Sequence, residues 1–161
     1  MVSLLSIREA VVSDSGQLLQ FIKELACYEK AEQEVVATVE DIERSIFGPD
    51  STVEALLCEQ DGKAIGFAVY FYNYSTWLGK NGLYLEDLYI SPEYRHFGAG
   101  KRLLKYLAQQ AVAIGCERFE WSVLRWNEPA IRFYESIGAK AKEELLGYRL
   151  SGQALLDFSH S

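Results

Sequence analysis

The sequence predicts an α/β domain in which a mixed, mostly antiparallel sheet is flanked by helices. Three observations lead there. Strand-like segments come in a run over residues 53–90 and are followed by helix, strand and helix patterns, an order that suits a sheet covered by helices. Residues 65–72, Ile65-Gly66-Phe67-Ala68-Val69-Tyr70-Phe71-Tyr72, are almost continuously apolar, as a central strand covered on both faces should be. A further apolar strand carries the adjacent acids Glu86 and Asp87 and leads through a short turn into Gly98-Ala99-Gly100 and a helix. Residues 83–111 are thus the strand-loop-helix unit around which the chain is organised.

Taken in order, residues 4–8 read as a first strand. Asp14-Ser15-Gly16-Gln17 supplies an N-cap with a capping-box partner, and the helix it opens has an apolar stripe of Leu18, Ile22 and Leu25. Glu29 is the next position on that stripe, with Tyr28 beside it; periodicity suits a frayed, solvated end at Glu29 as well as an inward carboxylate. Thr38 and Asp41 cap a second helix with Val39, Ile42 and Ile46 at helical spacing, and Gly48-Pro49 stops it. Asp61-Gly62 is a hairpin turn between strands 53–60 and 63–72. Tyr74, Trp77, Gly79, Lys80, Asn81 and Gly82 form an aromatic-containing loop, where Trp77 suits a site wall or a packing lid equally. Strict alternation sends Glu86 and Asp87 to opposite faces, so a bulge is expected if both serve one site. Residues 117–124 read as a fifth strand. Asn127-Glu128-Pro129 then caps a short helix whose Ala130, Phe133, Tyr134 and Ile137 are spaced i, i+3, i+4, i+7 up to Gly138. On spacing alone Tyr134 is a core tyrosine. Residues 139–158 suit two antiparallel strands.

Composition bounds the function. A chain of 161 residues with 49% hydrophobic content fits a single domain, 1–161, long enough to bury roughly 70% of its unfolded surface. No stretch approaches the ~18 apolar residues of a membrane helix, and the N-terminus lacks a basic-then-apolar leader pattern, so a soluble, cytoplasmic protein is expected. Three widely spaced cysteines, Cys27, Cys58 and Cys116, without a C-x-x-C pair, argue against a disulfide framework or a metal site. A net charge of −7 without a basic run argues against nucleic acid as a partner and suits a small cationic one.

The loop after the acidic strand is built for an anion. The first turn of a helix leaves backbone N–H groups without partners and carries partial positive charge, and glycines let a phosphate approach them. A Walker loop would need glycine at Arg95 and Ser or Thr at Arg102; a dinucleotide fingerprint would need glycine at Leu103. What the run Arg95-His96-Phe97-Gly98-Ala99-Gly100 does match is the R/Q-x-x-G-x-G/A signature of the GCN5-related N-acetyltransferases. Nearly the whole chain resembles the diamine and polyamine branch of that family, the spermidine/spermine acetyltransferases. The matching segments are Ile22-Lys23-Glu24-Leu25-Ala26 with Tyr28-Glu29, Gly66-Phe67-Ala68 with Tyr70, Trp77 with Gly79-Lys80, and Leu83-Tyr84-Leu85-Glu86-Asp87. They continue through Trp126-Asn127-Glu128-Pro129 with Phe133-Tyr134 and Gly138-Ala139.

The resemblance implies an acyl-CoA N-acyltransferase fold with splayed central strands, and acetyl-CoA as the acetyl donor. It implies that Leu88, Tyr89 and Ile90 pair with the pantetheine arm, that His96, Phe97, Gly98, Ala99, Gly100 and Lys101 hold the pyrophosphate, and that Arg95 belongs to the same cofactor-binding loop. Asn127, Glu128 and Pro129 would border the cofactor, with Tyr134 beside the thioester sulfur. Tyr28, Glu29, Trp77, Glu86 and Asp87 would form the amine site, Glu86 acting through water as base, and the chain would be a homodimer with its C-terminal strands contributing. One departure matters: an acid precedes Gly-Trp-Arg-Leu in the polyamine enzymes, whereas this chain reads Leu146-Gly147-Tyr148-Arg149-Leu150. That weakens the case for a long polycation and leaves room for a diamine or a lysine-like amino acid such as thialysine; Glu143 or Glu144 would compensate after a small shift.

The chemistry explains these groups. An alkyl ammonium near pKa ~10.4 must lose a proton before it attacks, at roughly 4–5 kcal/mol near neutral pH. A carboxylate acting as general base typically contributes about 10²–10⁴ in rate, and the departing thiolate needs an acid, the role implied for Tyr134. The competing readings are a protein N-terminal or lysine acetyltransferase of the same fold, and a non-catalytic acyl-CoA-binding module. A serine hydrolase is excluded by the absence of a G-x-S-x-G elbow, with the two histidines, His96 and His160, in the loop and the tail.

Overall fold

The computed structural model describes residues 4–161, and the chain divides into two compact units, Met1–Ser122 and Val123–Ser161. Composition alone leads to one domain; the two units are taken in turn.

The first unit holds a five-stranded sheet in the order β1-β2-β3-β4-β5, with β1 Leu5–Glu9, β2 Val53–Gln60, β3 Lys63–Ser75, β4 Lys80–Ile90 and β5 Phe119–Trp121. Pairing is antiparallel from β1 to β4 and parallel between β4 and β5, the mixed sheet that the pattern predicts. Asp61 and Gly62 both take positive φ, 51° and 82°, which lets two residues join β2 to β3. β3 is the middle strand, and Ile65 to Tyr70 are all buried along it.

Two helices cover one face. α1 (Ser15–Tyr28) lays Phe21 against Phe67 of β3 and Tyr89 of β4, ring centroids 5.9 Å apart in each case, and α2 (Val39–Phe47) adds Ile42 to the same core. The capping box of α2 is as expected, with Thr38 Oγ1 accepting from the Asp41 N–H at 3.2 Å and Asp41 from the Thr38 N–H at 2.9 Å. α3 (Ala99–Ala113) buries Leu103, Leu104, Leu107 and Ala111. Since Leu57, Phe67 and Val69 face α1, alternation turns Leu56, Cys58, Ala68 and Tyr70 the other way. Arg102 and Tyr106 of α3 act electrostatically on Cys58 and Tyr70, which puts α3 on that second face.

Asp14 does not cap α1. Its carboxylate instead takes the Arg8 guanidinium at 2.8 and 3.0 Å and the Val11 N–H at 2.8 Å, a charged partner outcompeting a neutral backbone donor. Arg8 also reaches Glu59 at 2.9 Å, tying β1, β2 and the start of α1 together. The buried stripe of α1 is Leu18, Leu19 and Phe21, while Ile22 and Leu25 are half-buried against the core. The fifth strand is three residues, not the eight of 117–124.

In the second unit α4 (Glu128–Ser136) follows Asn127, and Gly138, at φ 95°, lies beyond its end as the sequence predicts. No residue of α4 is buried, so Tyr134 is not the core tyrosine its spacing implies; a unit of this size has too little surface to enclose a nine-residue helix. Residues 139–158 do not form two strands. The end of that segment is α5 (Gly152–Ser159), with Gln153 Nε2 donating to Asp157 Oδ1 at 2.8 Å one turn on. A strand needs a neighbour for its backbone groups whereas a helix bonds itself, and all five strands of the described sheet lie in the first unit.

Candidate active site

The site begins with a defect in the sheet. β3 and β4 pair Val69 with Asp87 and Tyr70 with Leu85, so Glu86 is the extra residue of a β-bulge. This is the bulge that two adjacent acids call for. It leaves Glu86 exposed and Asp87 half-buried opposite Val69, on the α1 face of the sheet.

Asp87 there meets the end of α1. Burial is the first cause that pushes its carboxyl up to about 6, and the like charges of Glu86 and then Glu29 add to it. The Glu29 carboxyl is itself pushed up by burial, so the inward alternative at that position is the one the fold adopts. The ion pairs Arg8–Asp14, Arg8–Glu59, Arg44–Asp41, Lys80–Glu117 and Arg132–Glu128 all lie away from these three acids. No group of three His, Cys, Asp or Glu side chains among the described residues suits a metal ion. Three carboxylates thus share one region.

The anion half of the site lies further along the same strand. After Ile90 a 3₁₀ turn, Pro92–Phe97, leads to Gly98, whose φ of 77° is left-handed and whose absent Cβ would meet nothing within 4 Å. The first α3 bond runs from the Arg102 N–H to the Gly98 carbonyl at 3.0 Å, so the N–H groups of Ala99, Gly100 and Lys101 belong to the unpartnered first turn. That open cradle, at the head of a fifteen-residue helix, fits a pyrophosphate. His96, Phe97 and Lys101 are exposed around it.

β4 and β5 also part here. Their parallel register ends at Leu85↔Trp121, and residues 86–90 have no β5 partner. Leu88, Tyr89 and Ile90 therefore lie on a strand segment whose β5 side is open to an extended ligand arm. At the same level Gly66 of β3 sits where any Cβ would collide with the Tyr89 carbonyl oxygen, which keeps β3 and β4 close behind the opening.

Arg95 turns back from the loop. Its Nε donates to the Ile90 carbonyl at 2.8 Å, and its guanidinium lies 5.0 Å from the Tyr28 ring and 5.3 Å from the Tyr89 ring, so it faces α1 and the strand end. Trp77 stands apart as well. It is 90% exposed at the tip of the β3–β4 hairpin, and the seven residues from Lys80 to Asp87 place it roughly 20 Å or more along the strand from the acids. The first unit thus brings Tyr28, Glu29, Glu86 and Asp87 together with 88–90 and 95–101, and leaves Trp77 outside. Asn127, Glu128, Pro129 and Tyr134 belong to the second unit, where Asn127 precedes α4, Pro129 is in its first turn, and the half-exposed Tyr134 ring lies 5.9 Å from that of Phe133.

Sequence reading also misses Glu24, whose Oε2 is buried without a hydrogen-bond partner and which acts electrostatically on Tyr89. The signal for it is its position one turn before Tyr28 on α1.

Comparison with known proteins gives the family. The Acetyltransferase (GNAT) family matches residues 18–139. The chain is 36% identical to the thialysine N-epsilon-acetyltransferase of Sus scrofa, over 95% of this chain and 96% of that protein. It is 34% identical to the human spermidine/spermine N(1)-acetyltransferase-like protein 1, over 95% of this chain and 23% of that one. An integron cassette protein from the mobile metagenome of V. cholerae superposes with a TM-score of 0.83 at 27% identity, covering 98% of both chains.

Proposed function

As the chain belongs to the Acetyltransferase (GNAT) family and is an acetyl-transferring enzyme of its diamine and polyamine branch, we propose that it N-acetylates a small cationic amine, using acetyl-CoA as donor. The observation that carries the acceptor class is the grouping of three carboxylates, Glu86 and Asp87 on β4 and Glu29 at the end of α1, with the open N-terminus of α3 following the same strand β4. An ammonium group supplies the opposite charge.

The residues divide the work as follows. The N–H groups of 99–101 hold pyrophosphate oxygens, and the open side of residues 88–90 pairs with the arm that leads to the thioester, which supplies the acetyl group. Glu29 and Asp87 bind the cation. Glu86, exposed at the bulge, takes the ammonium proton through a water, worth about 10²–10⁴ in rate. Tyr134 is proposed as the acid for the departing sulfur, on the strength of the Trp126-Asn127-Glu128-Pro129 and Phe133-Tyr134 motif, and Asn127, Glu128 and Pro129 as cofactor neighbours on the same ground. Asp87, whose carboxyl lies near 6, is the competing base. Glu86→Gln and Asp87→Asn separate the two, because the base variant loses kcat and the anchor variant raises KM.

Leu146 and Tyr148, where polyamine enzymes carry an acid and a tryptophan, favour a diamine or a lysine-like amino acid over a long polyamine. The identity to a thialysine enzyme supports the same choice. A homodimer is part of the proposal, supported by the outer edge of β5, with which no described strand pairs; light scattering tests it. The deciding experiment follows CoA release with putrescine, spermidine, lysine, thialysine and a lysine-containing peptide. Turnover of the small amines is expected, thialysine or a diamine leading. Turnover of the peptide alone would overturn the acceptor class.

A further inference from the structure

We propose that Arg95 is a positioning residue, a clip that ties the acceptor carboxylate Glu29 to the phosphate loop so that cofactor binding orders the amine site. The inference rests on the acetyltransferase reading above and adds a link between its two half-sites.

Arg95 occupies the first position of the loop signature, yet its observed partners lie elsewhere. One end closes the turn, through Nε on the Ile90 carbonyl at 2.8 Å; the other rests against Tyr28, the last residue of α1, and Tyr89 of β4. Glu29 is the next residue after Tyr28, and Asp87 is two residues before Tyr89 on the same strand. The Arg95 guanidinium thus bridges the residue before Glu29 and the strand that carries Asp87, and Glu29 lies near enough to Asp87 for its charge to act on that carboxyl.

The helix end needs such a tie. Lys30 takes φ 61°, a left-handed conformation uncommon for a residue with a Cβ, and it stays there only where its surroundings hold it. The reversal is closed by the Ala31 N–H on the Ala26 carbonyl at 2.8 Å and the Lys30 N–H on the Cys27 carbonyl at 3.0 Å. Without the Arg95 contact, Glu29 sits on a helix end that carries strain and like-charge repulsion from Asp87. A planar guanidinium suits the task because it stacks on rings while its Nε bonds a carbonyl; a lysine ammonium keeps the charge but has no planar face to stack on two rings while bonding the carbonyl.

Amide hydrogen exchange on the full chain, with acetyl-CoA as the added ligand, tests the link without requiring any amine to react. In the wild type, acetyl-CoA is expected to slow exchange at Glu29, Lys30 and Ala31 about fivefold or more. In Arg95→Lys and Tyr28→Leu that slowing is lost, whereas Tyr28→Phe, which keeps a ring under the guanidinium, retains most of it. Steady-state kinetics should show the KM for the amine rising several-fold more than the KM for acetyl-CoA in Arg95→Lys. No slowing in the wild type, slowing that persists in Arg95→Lys, or equal losses in both Tyr28 variants would each overturn the clip. Failure of the wild type to acetylate any small amine would sink the proposed function and leave the exchange result to decide the clip by itself.

Discussion

Replacing Asp87 by Asn should make the protein more stable at alkaline pH and leave it unchanged in acid. The Asp87 carboxyl is held at about 6 against an ordinary value near 3.8, through burial and the neighbouring charges of Glu86 and Glu29. That is a proton affinity raised roughly a hundredfold, equivalent to about 3 kcal/mol at about 1.4 kcal/mol per decade. The folded chain holds this proton more tightly than the unfolded chain. The stabilisation is therefore complete below pH ~4 and is lost as pH rises through about 6, so that at pH 8 the ionised carboxylate costs the fold up to about 3 kcal/mol. Asn carries no charge and escapes that cost. Urea unfolding of both proteins at pH 4 and pH 8 measures it: the difference should be close to zero at pH 4 and about 1–3 kcal/mol in favour of Asp87→Asn at pH 8. Putrescine at pH 8 should then stabilise the wild type more than the variant, because the cation binds the folded carboxylate. A pH-independent difference, or a variant less stable at pH 8, would show that Asp87 is not the strained acid of the site.

Three further outcomes follow from the same structure. Glu86→Gln and Tyr134→Phe should each lower kcat by about 10²-fold or more with smaller effects on KM, measured by CoA release; unchanged rates in both would favour a module that binds acyl-CoA without catalysis. Gly66→Ala should lower stability by about 1–3 kcal/mol in thermal unfolding, since a Cβ there has to displace the Tyr89 carbonyl and the Ile90 backbone; a neutral result would mean that β3 and β4 separate freely at this point. Thiol titration of the native protein at pH 8 should label exposed Cys27 readily, while buried Cys58, pushed up to about 11, and buried Cys116 react upon unfolding; early labelling of Cys58 would contradict its burial against β3 and α3.

The features legible in the sequence are those written in consecutive residues. The Thr38/Asp41 capping box, the Asp61-Gly62 turn and the Gly98-Ala99-Gly100 helix start report backbone geometry set within a few positions, the apolar run 65–72 reports burial on both faces of a strand, and each appears in the fold. Even the bulge could be anticipated, because two adjacent acids on an alternating strand cannot otherwise share a site. The family and its chemistry followed from such local motifs.

What the tertiary structure decided is which distant residues meet. Glu29 reaches Asp87, a residue far along the chain, because Phe21 seats α1 across β3 and β4. Arg95 carries the signature of a cofactor residue, but its neighbours Tyr28 and Tyr89 come from a helix and a strand that no spacing connects. Trp77 matches a motif and yet stands at a hairpin tip, since hairpin length sets its distance from the acids. Residues 152–159 form a helix where 139–158 suit two strands, because backbone groups without a strand beside them bond to themselves. The sequence by itself thus determined the anion cradle and the two acids of residues 83–111 and left Glu29 open between a solvated end and an inward carboxylate; the fold turned Glu29 toward Asp87 and set Arg95 against Tyr28 and Tyr89, because contacts across the sheet depend on packing rather than on order along the chain.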